Sequence, residues 1–370
     1  MTHILVTGAQ GFIGKNLIVA LGRNKELCIH QFDKDNTDAE LADGIAKADC
    51  VYHLAGINRP ETPEEFKTGN VDLTEKILSL LKLRHDAPPI IMTSSIQAEL
   101  DNPYGISKRK AEEALQKYHK ETGNKICIYR LPNVFGKWCR PNYNSVVATF
   151  CYNVTHNEPL TINDPAKAIN FIYIDDVVYE LQKHISENFE YKIETIIPGP
   201  TYTITLGALA ELLYQFRDIR TGGLLPDFAN KLEKYLYSTF LSYYEKQDIQ
   251  YLSDKKVDNR GYLFELIKTK NSGQIFVSRT LPGITRGNHY HDTKVEKFCV
   301  LDGKASIKLR HIITNELHEI IVDGHECKII DIPPGWTHSI TNIGTTDLLT
   351  LFWANEIFDQ NNPDTYFCEV

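Results

Sequence analysis

No C-x-x-C pair occurs in this 370-residue chain, and its eight cysteines are too dilute for a disulfide framework, which removes the small crosslinked-scaffold class. A basic surplus is also missing: 40 Lys+Arg against 48 Asp+Glu leave a net charge of −8, so a nucleic-acid footprint is not expected. An anionic small substrate is still compatible, because a local Arg/Lys pocket can sit on an acidic protein. No apolar run approaches the length of a membrane span, and no charged leader with an apolar core precedes the opening residues HILVTGA. A reducing cytoplasm is therefore the expected location, with no membrane partner. Low-complexity tracts are absent, and 42% apolar with 24% charged residues is ordinary globular composition. The length suggests two or three domains. Histidines are unevenly spread, with six of thirteen after residue 256, which draws attention to that end.

Through about residue 200, short apolar β-type runs at 3–7, 28–33, 50–54, 90–95 and 126–130 alternate with helical patterns at 12–21, 63–81, 104–122 and 146–155. Strands apolar on both faces and separated by helices predict a Rossmann-like, doubly wound parallel α/β sheet. A further helical pattern follows Tyr202, carried by Leu206, Leu209, Leu212, Leu213 and Phe216. From Gly261 the texture changes to short strands split by LPG, LDG, VDG, PPG and NIG, as in an all-β barrel. The expected domains are 1–245 and 246–370.

Gly8-Ala-Gln-Gly11-Phe12-Ile13-Gly14 sits between the first strand and the first helix. Glycines there allow a tight turn and let backbone approach a pyrophosphate lying at the helix N-terminus. The spacing is one residue longer than G-x-G-x-x-G. Asp33, some 20 residues on, is placed to accept the ribose 2′-OH of NAD(H), whereas the adjacent Lys34 suits the 2′-phosphate of NADP(H). Tyr104 and Lys108 stand one helical turn apart, and a neighbouring ammonium is expected to draw the phenol's pKa down toward working pH. Ser94 and Ser95 end the preceding strand, where either hydroxyl could hold a substrate carbonyl.

Taken in order, these residues resemble the extended short-chain dehydrogenase/reductase family over roughly residues 1–240. Further matches are His53-Leu54-Ala55-Gly56, Tyr129-Arg-Leu-Pro-Asn133-Val-Phe-Gly136 and Phe171-Ile-Tyr-Ile-Asp-Asp-Val177. The resemblance implies that Tyr104 and Lys108 are catalytic and that Ser95, rather than Ser94, orients the carbonyl. It also implies that Leu54, Ala55 and Gly56 line the dinucleotide and that Asn133 faces a nucleotide-sugar diphosphate.

The later histidines form a second constellation. Gly283-x5-His289-x-His291-x4-Glu296-x6-Gly303 is followed by Pro333-x-Gly335-x2-His338-x3-Asn342. Side chains alternate along a strand, so His289 and His291 share a face, and three imidazoles with one carboxylate can converge on Zn²⁺ or another divalent metal. This motif pair resembles the cupin family and implies a cupin barrel, or jelly roll. One departure is Cys327 where a glycine usually begins the second motif; a changed turn is expected there. The segments Asp258-Asn-Arg-Gly-Tyr-Leu-Phe-Glu265 and Thr285-Arg-Gly-Asn-His-Tyr290 also resemble the cupin-fold 4-keto-deoxysugar nucleotide 3,5-epimerases. Those enzymes use the matching histidine as a base, which conflicts with a ligand role for His289.

Fused in one chain, the two parts resemble the bifunctional capsular-polysaccharide enzymes end to end. Matching segments include Asn102-Pro-Tyr-Gly, Phe135-Gly-Lys-Trp-Cys, Pro141-Asn-Tyr-Asn-Ser-Val and Asn362-Pro-Asp-Thr-Tyr-Phe. That resemblance implies a UDP-linked deoxy-aminosugar substrate, C3 epimerisation by the cupin, C4 reduction with NADPH by the first domain, and a homodimer. The competing expectation is a UDP-sugar 4-epimerase or dehydratase with tightly held NAD, its cupin serving only to dimerise or sense a ligand.

Overall fold

The computed structural model describes residues 1–62, 64–185, 191, 195–221, 224–252, 256–258, 261–263, 273–356 and 361–370. They form two compact units, Met1–Ser145 with Ile169–Thr203, and Val146–Ala168 with Ile204–Val370.

The first unit is built on a six-stranded sheet in the order 27–32, 2–7, 50–53, 90–95, 126–131, 195–196, with every pair parallel. The chain leaves strand Thr2–Thr7 toward one side and crosses back to its other side with Cys50–His53. The strand order therefore reverses there, opening a crevice beyond the carboxyl ends of those two strands. Both residues 8–14 and 54–56 follow directly from them. Leu5, Val51, Ile90, Met92 and Ile128 pack with Leu41, Ile45, Ile77 and Leu115 from the helices on one face of the sheet.

Two helical features differ from the sequence expectation. Helix Asp38–Lys47 is an added element, started by a capping box in which the Thr37 hydroxyl accepts from the Glu40 amide while the Glu40 carboxylate accepts from the Thr37 amide. The helix expected over 63–81 is interrupted: Lys67–Asp72 is a π-helical turn between Glu64–Phe66 and Leu73–Leu81. Such a turn re-aims a side chain. Here it carries the buried Asn70.

The second unit is a jelly roll of two five-stranded antiparallel sheets. One has the order 250–252, 328–332, 296–302, 348–354, 274–280, and the other 317–323, 304–311, 336–342, 285–290, 366–367. Phe298, Val300, Ile307, Leu309, Ile330, Trp336, Ile340 and Phe352 fill the space between them. Helices Val146–Thr155, Leu206–Thr221 and Lys231–Leu241 belong to this same unit. Helix Leu206–Thr221 delivers Arg220 to a buried charge cluster on the barrel, where its guanidinium donates to Asp331 (2.7 Å) and to the Asp248 carbonyl (2.7 Å). Lys297 donates to the other Asp331 oxygen (2.5 Å) and to the Tyr251 hydroxyl (2.8 Å). Arg220 also lies over the rings of Tyr244 and Tyr251.

Of the stretch 258–265, only the backbone of 258 and 261–263 is described, so the epimerase-like motif expected there lies outside the described residues. Among the described residues no helix is long and apolar enough to cross a membrane.

Candidate active and metal sites

At the mouth of the crevice, Gly8 adopts φ +69°, and a Cβ there would lie 2.6 Å from the Ala55 amide nitrogen. A Cβ on Gly14 would lie 2.1 Å from the Gly8 carbonyl oxygen. The turn therefore needs glycine at both positions. Gly11 caps helix Phe12–Leu21 without a side chain, leaving Phe12, Ile13 and Gly14 to present the amides of the positive helix end that a pyrophosphate requires. Asp33 closes the turn from the next strand, accepting from the amides of Gln10 (2.7 Å) and Lys34 (2.8 Å). The Lys34 side chain beside it is exposed. Leu54 and Ala55 are tied back to Thr7, and Gly56 lies against Lys108: a Cβ on it would be 3.5 Å from the Lys108 amine.

Helix Pro103–Thr122 starts at Asn102, whose side chain accepts from the Gly105 amide (2.8 Å), with proline at its first position. Tyr104 thus sits in the first turn, with Lys108 one turn on. Lys108 is buried and donates to the Thr93 carbonyl (2.8 Å). Burial pushes its ammonium down to about 8, with Glu112 pulling the other way. Burial raises the Tyr104 phenol above its ordinary value, and a hydrogen bond with Ser95 offsets part of the rise. The expected lowering of the phenol by Lys108 is thus reversed, because burial disfavours phenolate and ammonium alike.

The two serines have different fates. Ser94 is buried and donates to Glu112 (2.5 Å), a carboxylate also held by Arg130 (2.6 Å), which in turn reaches Glu99. Ser95 faces Tyr104. Asn133 is exposed at the start of the short strand Asn133–Phe135 and donates to the Asn170 carbonyl (3.2 Å).

Sequence reasoning missed Asn70, for which there is no local signal. Its side chain accepts from the Ile57 amide (2.8 Å) and donates to the Ile57 carbonyl and to Ser107 (2.9 Å each). It fixes the loop after Gly56 onto the helix that carries Tyr104 and Lys108. His53 is likewise buried, between the hydroxyls of Thr7 (2.8 Å) and Thr74 (2.9 Å). Burial pushes it down to about 3, so it is a neutral structural imidazole.

In the barrel, the ligand atoms of His289, His291, Glu296 and His338 all lie within 4.8 Å of one another. His289 stands directly across from His338, with ring centroids 4.5 Å apart. Nε2 of His291 and Nε2 of His338 are 3.3 and 3.2 Å from Glu296 Oε2. Both nitrogens are buried with no hydrogen-bond partner of good geometry. Burial, with the two neighbouring imidazoles, pushes His289 down to about 4, keeping it in the neutral form that ligates. For Glu296, burial would favour the acid, but His291 and His338 more than offset this and hold it ionised. Converging donors of three nitrogens and one oxygen, two of the nitrogens buried and orphaned, fit a divalent cation of the zinc type.

At the unusual Cys327 the backbone is left-handed (φ +53°), a conformation glycine takes without strain, and the four ligand candidates still converge. A second cluster, His3, Cys28 and His30, lies on the paired strands at one sheet edge. His3 Nδ1 and His30 Nε2 are hydrogen-bonded to each other at 2.9 Å, which already uses the nitrogens a cation would need.

Residues 4–188 match the NAD dependent epimerase/dehydratase family, and residues 256–366 match the polysaccharide biosynthesis C-terminal domain. A UDP-2-acetamido-2,6-beta-L-arabino-hexul-4-ose reductase of Pseudomonas aeruginosa is 44% identical over 367 residues, covering 99% of this chain and 98% of that one. The crystal structure of the capsular polysaccharide assembling protein CapF from Staphylococcus aureus matches with a TM-score of 0.68 and 45% identity, over 99% of this chain and 100% of that one. UDP-glucuronic acid 4-epimerase from Bacillus cereus, solved with UDP-glucuronic acid and NAD, matches 59% of this chain and 83% of its own with a TM-score of 0.53. At 24% identity that likeness is one of fold.

Proposed function

Because this chain belongs to the family that includes CapF and the Pseudomonas aeruginosa UDP-hexulose reductase, we propose that it is a bifunctional nucleotide-sugar enzyme. We take residues 1–245 and 246–370 as its two catalytic modules, with helices Val146–Thr155, Leu206–Thr221 and Lys231–Leu241 of the first grouped with the barrel-bearing unit. Its substrate is a UDP-2-acetamido-2,6-dideoxy-4-hexulose; the cupin inverts C3 and the first module then reduces C4, giving UDP-2-acetamido-2,6-dideoxy-L-talose. The observation that carries this reading is the presence in one polypeptide of a Ser/Tyr/Lys set beside a glycine-rich turn and a largely buried His₃Glu cluster in a barrel.

Bound NADPH supplies a hydride to C4. Ser95 holds the C4 oxygen and Tyr104 gives it the proton, while Lys108, tied to the Thr93 carbonyl and close to Gly56, orients the nicotinamide ribose. The exposed Lys34 supports NADPH, and Asp33 is the residue that would accept a ribose hydroxyl if NADH were used. Asn133 takes the diphosphate side of the substrate. In the barrel, a divalent cation on His289, His291, Glu296 and His338 supplies Lewis acidity toward a carbonyl. A ligand role for His289 displaces the base role that its motif has in the 3,5-epimerases.

The order of steps follows from carbon acidity. The C3 proton is acidic only while C4 is a ketone, whose oxygen can take up the charge as an enolate. Once C4 is an alcohol that acceptor is gone, so epimerisation must precede reduction. NMR of the UDP-4-keto sugar in D₂O should show deuterium entering C3 without NADPH, and reduced product only when NADPH is added. Absence of C3 exchange with fully metallated protein would refute the epimerase assignment, and exchange into the reduced alcohol without any dinucleotide would refute the order.

A further inference from the structure

We propose that the C-terminal segment 363–368 is part of the barrel's metal centre, with Asp364 the residue that positions His291 and the turn leading to Glu296. This rests on the reading of His289, His291, Glu296 and His338 as ligands.

One residue makes two kinds of contact here. The backbone carbonyl of Asp364 accepts a hydrogen bond from His291 Nδ1 at 2.6 Å. A neutral imidazole that donates through Nδ1 must carry its lone pair on Nε2, the atom that faces Glu296. The carbonyl therefore selects the tautomer as well as the ring orientation. The carboxylate of the same residue holds the next three residues: it accepts from the amides of Asp292 (3.0 Å), Thr293 (2.9 Å) and Lys294 (2.7 Å) and from the Thr293 hydroxyl (2.8 Å). Those residues join His291 to the strand that begins at Glu296. Asp364 adopts a left-handed backbone (φ +37°), a conformation aspartate and asparagine tolerate better than most residues.

The neighbours of Asp364 reinforce the clamp. Lys294 returns a hydrogen bond to the Pro363 carbonyl (2.7 Å) and reaches the Thr365 hydroxyl (3.3 Å). Tyr366 and Phe367 pair with Tyr290 and His289, and the Cys368 amide donates to the Asn288 carbonyl (2.8 Å). The Thr337 hydroxyl, one residue before His338, donates to the Cys368 carbonyl. The segment thus braces the backbone beside three of the four ligands. An ordinary edge strand would account for the pairing with residues 289 and 290, but not for a carboxylate spent on a turn between two ligands.

Removing such an outer partner of a ligand typically costs about 10–100-fold in metal affinity. The test is Zn²⁺ affinity of the full-length protein by chelator competition, with Cys28→Ser in all samples so that the other thiol–imidazole cluster contributes nothing. Asp364→Ala should bind Zn²⁺ about 10–100-fold more weakly, and Asp364→Asn, which keeps the left-handed preference and part of the acceptor set, should fall between it and the parent. Nitrogen NMR of the Zn²⁺-loaded protein should show His291 protonated at Nδ1 and bound through Nε2 in the parent, and a shifted or broadened Nδ1 signal in Asp364→Ala. Ile307→Val, a core change away from the segment, should lower the melting temperature and leave both readouts where they were. Equal affinity in parent and Asp364→Ala, with the parent binding one equivalent, would overturn this inference alone. A parent that binds no divalent metal would overturn the metal reading beneath it.

Discussion

Replacing Asp331 with asparagine should destabilise the second unit far more than removing Arg220, although each change deletes half of the same ion pair. The buried cluster holds two cations, Arg220 and Lys297, around one carboxylate, all three almost fully buried. Asp331→Asn leaves two positive groups 7% and 1% exposed with no counter-charge, a change that typically costs about 3–5 kcal/mol. Arg220→Met leaves Asp331 paired with Lys297, so no net charge is stranded. It forfeits the bonds to Asp331 and the Asp248 carbonyl and the stacking on two tyrosines, but also removes the desolvation cost of a buried guanidinium, which offsets most of that loss and leaves about 2 kcal/mol. Two of the chain's three tryptophans, Trp336 and Trp353, lie in this unit. Urea unfolding followed by their emission, in a Trp138→Phe background, therefore reads the unit without requiring the whole chain to unfold in one step. Lys297 and Arg220 hold the Asp331 carboxyl below its ordinary range against the opposing effect of burial. Its contribution is thus fully present above the ordinary carboxylate range and is lost as pH falls through the lower folded value, so the gap between parent and Asp331→Asn should close only in acid. An Arg220→Met loss equal to or greater than that of Asp331→Asn would refute the charge argument.

Tyr104→Phe should abolish NADPH-dependent reduction while metal content stays at the parent level; measurable turnover by dinucleotide absorbance would remove Tyr104 from the proton-transfer role. For Lys108, burial sets the folded value near about 8, below that of the free side chain, so between the two the unfolded chain holds a proton the folded one lacks and stability rises with pH. Lys108→Met should flatten that slope, melt higher at neutral pH and lose reduction; an unchanged pH–stability profile would contradict this. Gly14→Ala places a methyl 2.1 Å from the Gly8 carbonyl and should reduce dinucleotide affinity at least tenfold by fluorescence titration, about 1.4 kcal/mol or more. His338→Ala should lose both bound metal and C3 deuterium exchange; elemental analysis showing full metal in that variant would remove His338 from the ligand set.

Much of the first unit was legible because its signals are local. Apolar runs gave the parallel strands, and glycine spacing marked the turn after Thr7. Helix Asp38–Lys47 carried a readable capping box at Thr37 and Glu40, but its polar surface weakened the periodic signal. The π-helical turn at Lys67–Asp72 has no sequence signature, since it exists to bring Asn70 against Ile57 and Ser107. Apart from the family resemblance, the residues left Ser94 and Ser95 open for a similar reason: what separates them is Glu112, 18 positions after Ser94, and Arg130 holding that carboxylate. In the barrel, the spacing of His289, His291, Glu296 and His338 was enough to name the cluster. The role of Asp364 was not, because its contacts cross about 70 residues and one of them is made by a backbone carbonyl.

The irregularity in strand Thr285–Tyr290 gives the metal cluster a dependence on parity. Gly287 pairs with Ser339 and His289 with His338, so Asn288, at φ +57°, is one residue more than the partner strand contains. On a pleated strand, each residue added or removed exchanges inside for outside for everything that follows until the register is restored. The extra residue is thus what turns His289 toward His338. Were Asn288 drawn into the regular ladder instead, it would take the place opposite His338, and His289 and His291 would turn together to the other face; deleting Asn288 leaves His289 next after Gly287 and still opposite His338. What the site requires of this strand is that Asn288 stay out of the pairing, whatever its neighbours are.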